Sequence, residues 1–492
     1  MDRLNANDLS MLWPDEVGWP QDIGALSILA GGPLLDVNGR VQVDLVRAAV
    51  QARLHLVPRF RQLLYLPRRG LGGPLWVDAP HFDLADHVQV HTLPAPGTQA
   101  QLLATVEQLR RRPFDRSMPL WEMWLLPGLP GDQIGMYIKV HHTIADGAAG
   151  VATLGALLDA LPDPAPSAAP LWTPAPVPSA RELLRDNLLR RRDGALSAFS
   201  ALARPGQTMR RAREAWPALR ETLGGEQASQ TSLNRRIGPD RRLSLISSDL
   251  HLAKLVAHGS NATVNDVLIA AIAGGLRDLL NSRGEHVDGL VLRAYVPVSL
   301  HGQQHGPARG NLDGMMAVSL PIGVPDPVQR LRLIAAETTV RKKRRRVPAG
   351  TLMRNRFIQR SLLPLLARQR FANVYVANVP GPPMPLYLAG AQLLMLFPIV
   401  PLIGNMTLGV GALSYAGQFN ITVVADRDAC SDVAVFADGV RDALQSLAVS
   451  VSIMSTAAAH REPSSAAHQT MHPEELACRS STESRCPMTS SR

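Results

Sequence analysis

The chain has 492 residues, of which 46% are hydrophobic and 19% are charged. This composition excludes a chain that is disordered as a whole and suffices for a large core with more than one lobe. The net charge of +10 suits an anionic partner, but aromatic residues make up only 4% of the chain. Because no basic motif is interleaved with aromatic residues, a nucleic-acid binder is disfavoured.

The three cysteines form no CxxC pair, and this favours a reduced, cytoplasmic location over a secreted one. Residues 1–20 lack the apolar core of a signal peptide, and no uninterrupted apolar stretch is long enough to span a bilayer. Residues 330–370 contain 13 Lys or Arg against one acid, whereas residues 371–425 contain no charge. A basic region beside an apolar one predicts contact with anionic lipid or with the phosphates of a cofactor, and a solvated helix face is the alternative reading.

The hydrophobic periodicity predicts alternating helices and strands along the chain. Helices are expected at 41–54, 98–111, 147–161, 181–222 and 264–280, and strands at 134–141, 290–298 and 315–320. Residues 162–178 are rich in Pro, Ala and Ser and are typical of a linker. The predicted organisation is an N-terminal lobe (1–161), a linker with an Arg-rich helical crossover (162–226), a C-terminal lobe (227–452) and a disordered tail (453–492).

The strongest chemical signal is the segment 141–147, His-His-Thr-Ile-Ala-Asp-Gly, at the junction of a predicted strand and a predicted helix. Adjacent side chains on a strand point to opposite faces, so one histidine can face a cleft while its neighbour faces the core. Histidine is the natural general base near neutral pH. Asp146 can anchor the turn, and Gly147 lets the chain bend sharply.

Other chemistries find less support in the sequence. A zinc site is the main rival, but adjacent histidines diverge on a strand and no HExxH motif or cysteine cluster joins them, so no metal is predicted. Cys430 has no histidine motif nearby that would make it a nucleophile. The sequence contains neither a Gly-rich phosphate loop nor a GxSxG elbow.

The motif resembles the HHxxxDG signature of the coenzyme A-dependent acyltransferases, and four further blocks narrow the resemblance to the bacterial wax ester synthase/diacylglycerol acyltransferases. These blocks are Pro119-Leu120-Trp121, Asn265-Asp266, the segment 293–299 with Gly310-Asn311, and Asn378-Val379-Pro380-Gly381-Pro382 with Leu386 to Gly390. They occur in the family's order, and the resemblance runs from about Leu4 to Leu447. The chain departs from the family at Ala377, where serine is usual, in the basic run 341–346 and in the Gly-rich segment 404–411.

The resemblance implies an α/β (α+β) fold of two chloramphenicol-acetyltransferase-like lobes with a substrate tunnel between them. It implies acyl-coenzyme A as co-substrate, no permanently bound cofactor, and diacylglycerol or a long-chain alcohol as acceptor. His142 would be the base, and Asn265 would be an orienting or oxyanion donor or merely a helix cap. His141 would support the turn, and Asp146 would pair with an arginine, for which Arg293 is a candidate.

The expected substrate-binding positions are Gly147, Trp121, Asn378 and Gly381, although Trp121 and Asn378 fit packing and the lobe interface better than catalysis. The uncharged residues 371–425 could line the acyl tunnel, and the basic region 330–370 could meet coenzyme A phosphates or anionic lipid. The expected location is the inner face of the cell membrane or lipid droplets, by peripheral contact. A different acceptor, such as a polyketide or an amine, and a catalytically silent lipid-binding relative are the alternatives.

Overall fold

The computed structural model describes residues 1–145, 147–163, 170–206, 209–210, 213, 227–299, 313–342 and 367–459. Met1 to Val451 form one compact unit. Within the described part of the chain, every helix is too short or too polar to cross a membrane.

In the first half of the chain, the helices predicted at 41–54, 98–111 and 147–161 and the strand predicted at 134–141 are confirmed, with bounds that differ by a few residues, whereas most of the other elements were not predicted. Its helices are α1 (Ala6–Leu12), α2 (Val43–Arg53), α3 (Leu84–His87), α4 (Gln99–Arg111), α5 (Gly147–Leu157) and α6 (Ala180–Ala203). Its strands are β1 (Asp22–Ala30), β2 (Gln62–Tyr65), β3 (Leu75–Asp78), β4 (Val88–Val90), β5 (Trp121–Pro127) and β6 (Gln133–His141). A short 3₁₀ helix, Trp13–Val17, follows α1 and ends at Gly18, whose φ of 84° is readily adopted by glycine.

The second half adds three described helices before the C-terminal one and eight strands. The helices are α7 (Leu250–Gly259), α8 (Val264–Ser282), α9 (Pro327–Lys342) and α10 (Val433–Ala459). The strands are β7 (Arg241–Asp249), β8 (Val291–Ser299), β9 (Asp313–Pro321), β10 (Val374–Pro380), β11 (Tyr387–Leu388), β12 (Ala391–Ile399), β13 (Leu408–Tyr415) and β14 (Gln418–Asp426).

Two six-stranded sheets organise the molecule, and a hairpin of β2 and β3 accompanies them. The first sheet has the order β11-β12-β1-β6-β5-β4, and the second has the order β7-β14-β13-β10-β8-β9. Residues 387–399 therefore leave the C-terminal half of the chain to complete the first sheet, where β12 pairs antiparallel with β1. The predicted division of the chain at 162–226 remains a prediction, but the first sheet is not built from the N-terminal segment alone.

Each sheet is packed against buried helices. One apolar cluster joins α2 and α5 to the first sheet, and a larger cluster buries α8 against the second sheet. Thirteen residues of α8 are buried, which is why this segment reads as apolar on nearly all sides. The α8 helix begins at a capping box in which the Thr263 side chain accepts from the Asp266 backbone and Asp266 accepts from the Thr263 backbone.

The linker and tail predictions meet the structure only in part. Within 162–178, the segment from residue 170 is described and has no regular secondary structure until α6 begins at Ala180. The predicted helix at 181–222 is confirmed only as far as Ala203, where α6 ends, because Arg204 precedes Pro205 and leaves the helical conformation. Residues 207–208, 211–212 and 214–222 lie outside the described residues. The last helix continues to Ala459, past the point at which the disordered tail was expected to begin, and the tail from residue 460 lies outside the described residues.

Candidate active site

A cavity of about 200 Å³ lies between the two sheets, beside the strand-to-helix turn at the end of β6. Strands β1, β6 and β12 form one wall, β8, β10 and β13 form the facing wall, and α5 closes one side. Half of the lining residues, 13 of 26, come from the uncharged stretch 371–425, and no described lining residue is charged. This stretch therefore lines the cavity, and its predicted role in an acyl tunnel stays a prediction.

His142 is one of the few polar groups in the cavity wall, where it follows Ile138 and Val140 on the same side of the strand. Its side chain is buried, with 8% exposed. The His142 backbone N–H donates to the carbonyl of Gln21 at 2.9 Å, which continues the pairing of β6 with β1 by one residue. The alternation of a β-strand therefore directs His142 into the cavity and His141 to the opposite face.

His141 is held in one orientation by two neighbours. Its Nδ1 accepts the backbone N–H of Thr143 at 3.1 Å and lies 2.7 Å from the Thr143 hydroxyl. Since Nδ1 accepts a hydrogen bond, the ring proton belongs on Nε2, which lies 3.0 Å from Oδ2 of Asp15. Both ring nitrogens of His141 are therefore engaged by neighbouring groups, which is compatible with the predicted role in supporting the turn.

Asp15 connects both histidines to the 3₁₀ helix near the N-terminus. Its Oδ1 accepts the backbone N–H of Gln21 at 3.0 Å, and the carbonyl of Gln21 accepts from the backbone of His142. Burial opposes ionisation of Asp15, but the hydrogen bonds from the His141 ring and the Gln21 backbone, with help from the charge of Arg116, hold the pKa of this carboxyl below its usual value. One carboxylate thus fixes the ring of His141 and the backbone that carries His142.

The face of the first sheet that bears His141 contains buried charges. Lys139 is fully buried and lies 3.3 Å from the carboxylate of Asp22. Its ammonium group also lies 4.2 Å from the ring centroid of Phe114 and donates to the carbonyl of Arg112. Burial raises the pKa of Asp22, and the charge of Lys139 opposes this rise. These groups form a polar layer behind the cavity wall.

Two of the predicted substrate-binding residues, Gly147 and Asn378, line the cavity. A Cβ on Gly147 would lie 3.2 Å from Cγ2 of Val379, so the absence of a side chain lets α5 approach β10 closely. Asn378 is half-buried on β10, opposite Ala412 of β13. Its side-chain amide makes no hydrogen bond to any other described residue and is available to a bound molecule.

Three other predicted residues are outside the described cavity lining. Trp121 is buried in the core, stacks between Phe60 and His87, and donates from Nε1 to the Phe60 carbonyl at 2.9 Å. Gly381 packs so closely on β13 that a Cβ would lie 2.3 Å from the Ser414 carbonyl. Asn265 lies in the first turn of α8, where Thr263 rather than Asn265 caps the helix.

Asp146 and Gly310-Asn311 lie outside the described residues, so the pairing of Asp146 with Arg293 stays a prediction. Arg293 is buried on β8, and its backbone N–H donates to Asn373 Oδ1 at 2.9 Å. Residues 343–366 of the basic region also lie outside the described residues. Arg330 from that region is only 4% exposed and donates to the carbonyls of Val324 and Pro325, so it does not belong to a basic surface.

Asp15, Gln21 and Lys139 were not predicted from the sequence. Lys139 carried a usable signal, because a charged residue in an otherwise apolar strand must find a partner when the strand is buried. The sequence contained no such signal for Asp15, since this residue lies in a short 3₁₀ helix 126 residues before His141 along the chain.

Two facing mixed sheets, an apolar cavity between them and an HHxxxDG turn in its wall together define an acyltransferase of the HHxxxDG class. The chain belongs to the wax ester synthase/diacylglycerol acyltransferase family. The family's catalytic domain matches residues 4–268, and its C-terminal domain matches residues 309–448.

Relatives from two comparisons agree with this membership. A probable diacylglycerol O-acyltransferase of Mycobacterium tuberculosis, tgs1, is 32% identical over 434 residues, which cover 86% of this chain and 90% of that protein. The wax ester synthase/diacylglycerol acyltransferase of Marinobacter aquaeolei superimposes with a TM-score of 0.65 at 25% identity, covering 92% of this chain and all of that one. A condensation domain of rhizomide synthetase, solved with C8-CoA, shares the fold with a TM-score of 0.55 at 16% identity and coverages of 92% and 94%.

Proposed function

We propose that this acyltransferase moves a long-chain acyl group from acyl-coenzyme A to the hydroxyl of diacylglycerol or of a long-chain alcohol, with His142 as the base. The observation that carries the proposal is the place of His142 in the wall of an uncharged cavity between the two sheets. An apolar cavity suits an acyl chain, and an imidazole in its wall suits removal of a proton from an alcohol. The named relatives in the family support the choice of acceptor.

In this mechanism His142 takes the proton of the acceptor hydroxyl while the hydroxyl oxygen attacks the thioester carbonyl. The C–O bond forms, and the carbonyl electron pair moves to its oxygen. The tetrahedral intermediate then reforms the carbonyl, breaks the C–S bond and releases coenzyme A, whose sulfur receives the proton from His142. No covalent bond to the protein forms, and acyl-coenzyme A is a co-substrate rather than a resident cofactor.

The geometry favours Asn378 over Asn265 as a polar group for the reacting carbonyl. Asn378 lines the same cavity as His142 and has an amide that no described residue occupies, whereas Asn265 is outside the described lining. An amide N–H aimed at the developing oxyanion would stabilise the transition state. Asp15 and His141 would not touch the substrate. They would act indirectly, by holding the turn that carries His142.

Diacylglycerol and long-chain alcohols partition into lipid, so the proposal includes peripheral contact with the inner face of the membrane or with lipid droplets. Such contact requires a surface that holds the protein while the acceptor enters the cavity.

The test is release of coenzyme A thiol from palmitoyl-coenzyme A by the full chain, with diacylglycerol and hexadecanol offered separately. We expect release that depends on an acceptor and yields the matching ester. His142→Ala is measured beside it, with His258→Ala as the matched control, because His258 is exposed at the end of α7.

Acceptor-dependent release that survives in His142→Ala would refute the role of His142 but keep the reaction. Folded protein that releases no thiol with either alcohol would refute the lipid acceptor. Polyketide and amine acceptors would then be offered, and failure with those as well would leave a catalytically silent relative.

A further inference from the structure

Within the part of the chain that the structure describes, helix α6 is attached to the rest of the unit along one of its sides. Leu183 is buried against Leu75 and Val77 of the β3 strand. Three residues later, the Asp186 carboxylate accepts from Nε of Arg3 at 2.5 Å. The attached side of α6 is therefore the side that carries residues 183 and 186.

The opposite side of α6 exposes large apolar side chains to solvent. At roughly 100° per residue, Leu184, Leu188, Leu196 and Phe199 lie on the side away from Leu183. Their exposed fractions are 44%, 56%, 60% and 73%. Of the 24 large apolar side chains that are exposed in the described chain, seven lie between residues 171 and 199. Exposed apolar groups concentrated in this way mark an interaction surface rather than ordinary scatter.

Arginines stand among these apolar groups. Arg181, Arg185 and Arg192 lie on the same side of α6 by the same spacing. Within the described residues, Arg181 and Arg185 form no ion pair, and Arg192 contacts only its exposed neighbour Asp193, at 3.2 Å. The acids on the helix are otherwise engaged, since Glu182 caps it through Ser179 and Asp186 binds Arg3.

A lipid surface fits these properties better than another protein does. A buried protein interface would have to desolvate several arginines, whereas at a bilayer their long side chains reach the phosphates while the leucines enter the acyl boundary. The helix has 24 residues, so its free side presents a strip roughly 36 Å long that can lie in the plane of the membrane.

We propose that the side of α6 formed by Arg181, Leu184, Arg185, Leu188, Arg192, Leu196 and Phe199 is the surface by which this protein binds a bilayer containing anionic phospholipid. The inference deepens the proposed function, on which it rests for the need to meet a membrane-dissolved acceptor. It assigns the membrane contact to the crossover between the two halves of the chain and not to the basic region 330–370.

The test is co-flotation of the full chain with vesicles of phosphatidylcholine alone or of phosphatidylcholine mixed with the anionic lipid phosphatidylglycerol. We expect stronger binding to the anionic vesicles and weaker binding as salt rises, because salt screens the attraction between arginine and phosphate. Leu188→Ser with Phe199→Ser removes apolar contacts, and Arg181→Gln with Arg185→Gln removes charge. The charge variant should lose roughly 25-fold in affinity for anionic vesicles, about 5-fold for each arginine. The matched control is Leu252→Ser with Leu255→Ser on α7, whose side chains are 44% and 46% exposed.

Thiol release is measured in parallel with diacylglycerol in vesicles and with hexanol, a water-soluble alcohol. The α6 variants should lose turnover of the vesicle acceptor and keep turnover of hexanol. Binding that is unchanged in both α6 variants, or equally reduced in the α7 control, would overturn the assignment to α6. Normal vesicle binding with no turnover of any acceptor would contradict the proposed function and leave the α6 surface standing.

Discussion

The two faces of β6 place adjacent histidines in different surroundings. On the cavity face, Ile138 and Val140 precede His142, and the facing wall is uncharged. On the other face, Tyr137, Lys139 and His141 lie beside Asp22 and other polar groups in a buried layer. One face offers space and few competing groups, whereas the other offers partners that hold side chains still.

This difference shows how the turn that carries His142 can be held in place without crowding the His142 ring. Charged groups near His142 would compete for its ring or draw water into the cavity. By holding the neighbour instead, Asp15 fixes the turn from behind through His141 and the Gln21 backbone. The proposed base and the groups that hold the turn are thus separated by the thickness of one strand, and changes on the two faces should have different kinetic consequences.

The largest effect is expected on the cavity face, from His142→Ala. Loss of a positioned base should lower kcat/KM for acyl transfer by about 10² to 10⁴-fold. The free energy of unfolding should change little, because the variant removes a ring from the wall of an existing cavity. Steady-state thiol release and chemical denaturation measure the two effects. The His258→Ala control should match the wild type in both, and a large loss of stability in His142→Ala would assign that residue a structural role.

The next effect is expected behind the wall, from Asp15→Asn. The amide would place a second donor toward Nε2–H of His141 or lose the bond to the Gln21 backbone. We expect the free energy of unfolding to fall by about 1–3 kcal/mol. A displaced turn should lower kcat by up to about 10²-fold with a smaller change in KM. Denaturation and saturation kinetics measure both.

Arg116→Gln is the control for Asp15. Arg116 lies 3.2 Å from the same carboxylate oxygen, with its side chain 38% exposed, and it leaves His141 in place. Its removal should change kcat by no more than about fivefold, since exposed ion pairs contribute at most about 1 kcal/mol. If Asp15→Asn lowered stability but left kcat intact, Asp15 would be structural and would not position the histidines.

A smaller effect is expected from replacing the glycines near the two ends of α5 by alanine. A Cβ on Gly147 would lie 3.2 Å from Val379, whereas nothing lies within 4 Å of a Cβ on Gly155. Gly155→Ala should therefore stabilise the protein by about 0.5–1 kcal/mol through helix propensity. Gly147→Ala should raise the free energy of unfolding by less than this. It should also lower kcat/KM a few-fold, because the added methyl group pushes the helix from the cavity wall. Thermal unfolding and steady-state kinetics measure these effects. Equal stability and equal kcat/KM in the two variants would contradict the difference in packing between the two positions.

The smallest effect concerns Tyr137, whose buried hydroxyl has no partner among the described residues. Burial raises the pKa of this phenol above 10.0. The folded state then keeps a proton that the unfolded state releases, so this contribution to stability is present below pH 10 and is lost as the pH rises further. The free energy of unfolding of Tyr137→Phe should lie within about 1 kcal/mol of the wild-type value at pH 8. Its stability should fall less steeply above pH 10, and equal slopes in denaturation series would contradict this.

Much of the fold was accessible from local pattern. The strand ending at His141 and the helix beginning at Gly147 were predicted from alternation and from Ala-rich periodicity, and both are confirmed. The capping alternative for Asn265 was wrong, because Thr263 caps the helix two residues earlier. The exchange of β11 and β12 into the first sheet was not predicted, since strand pairing between distant segments leaves no trace in either segment alone.

The sequence by itself determined the acyltransferase motif, its family and the opposite directions of the two histidines, because a β-strand alternates its side chains whatever surrounds it. Only the tertiary structure decided that Asp15 holds His141 and that Asn378, rather than Asn265, shares the cavity with His142. It also left one side of α6 uncovered. These facts depend on contacts between segments far apart in the chain, whose distances are set by packing and not by local residue preference.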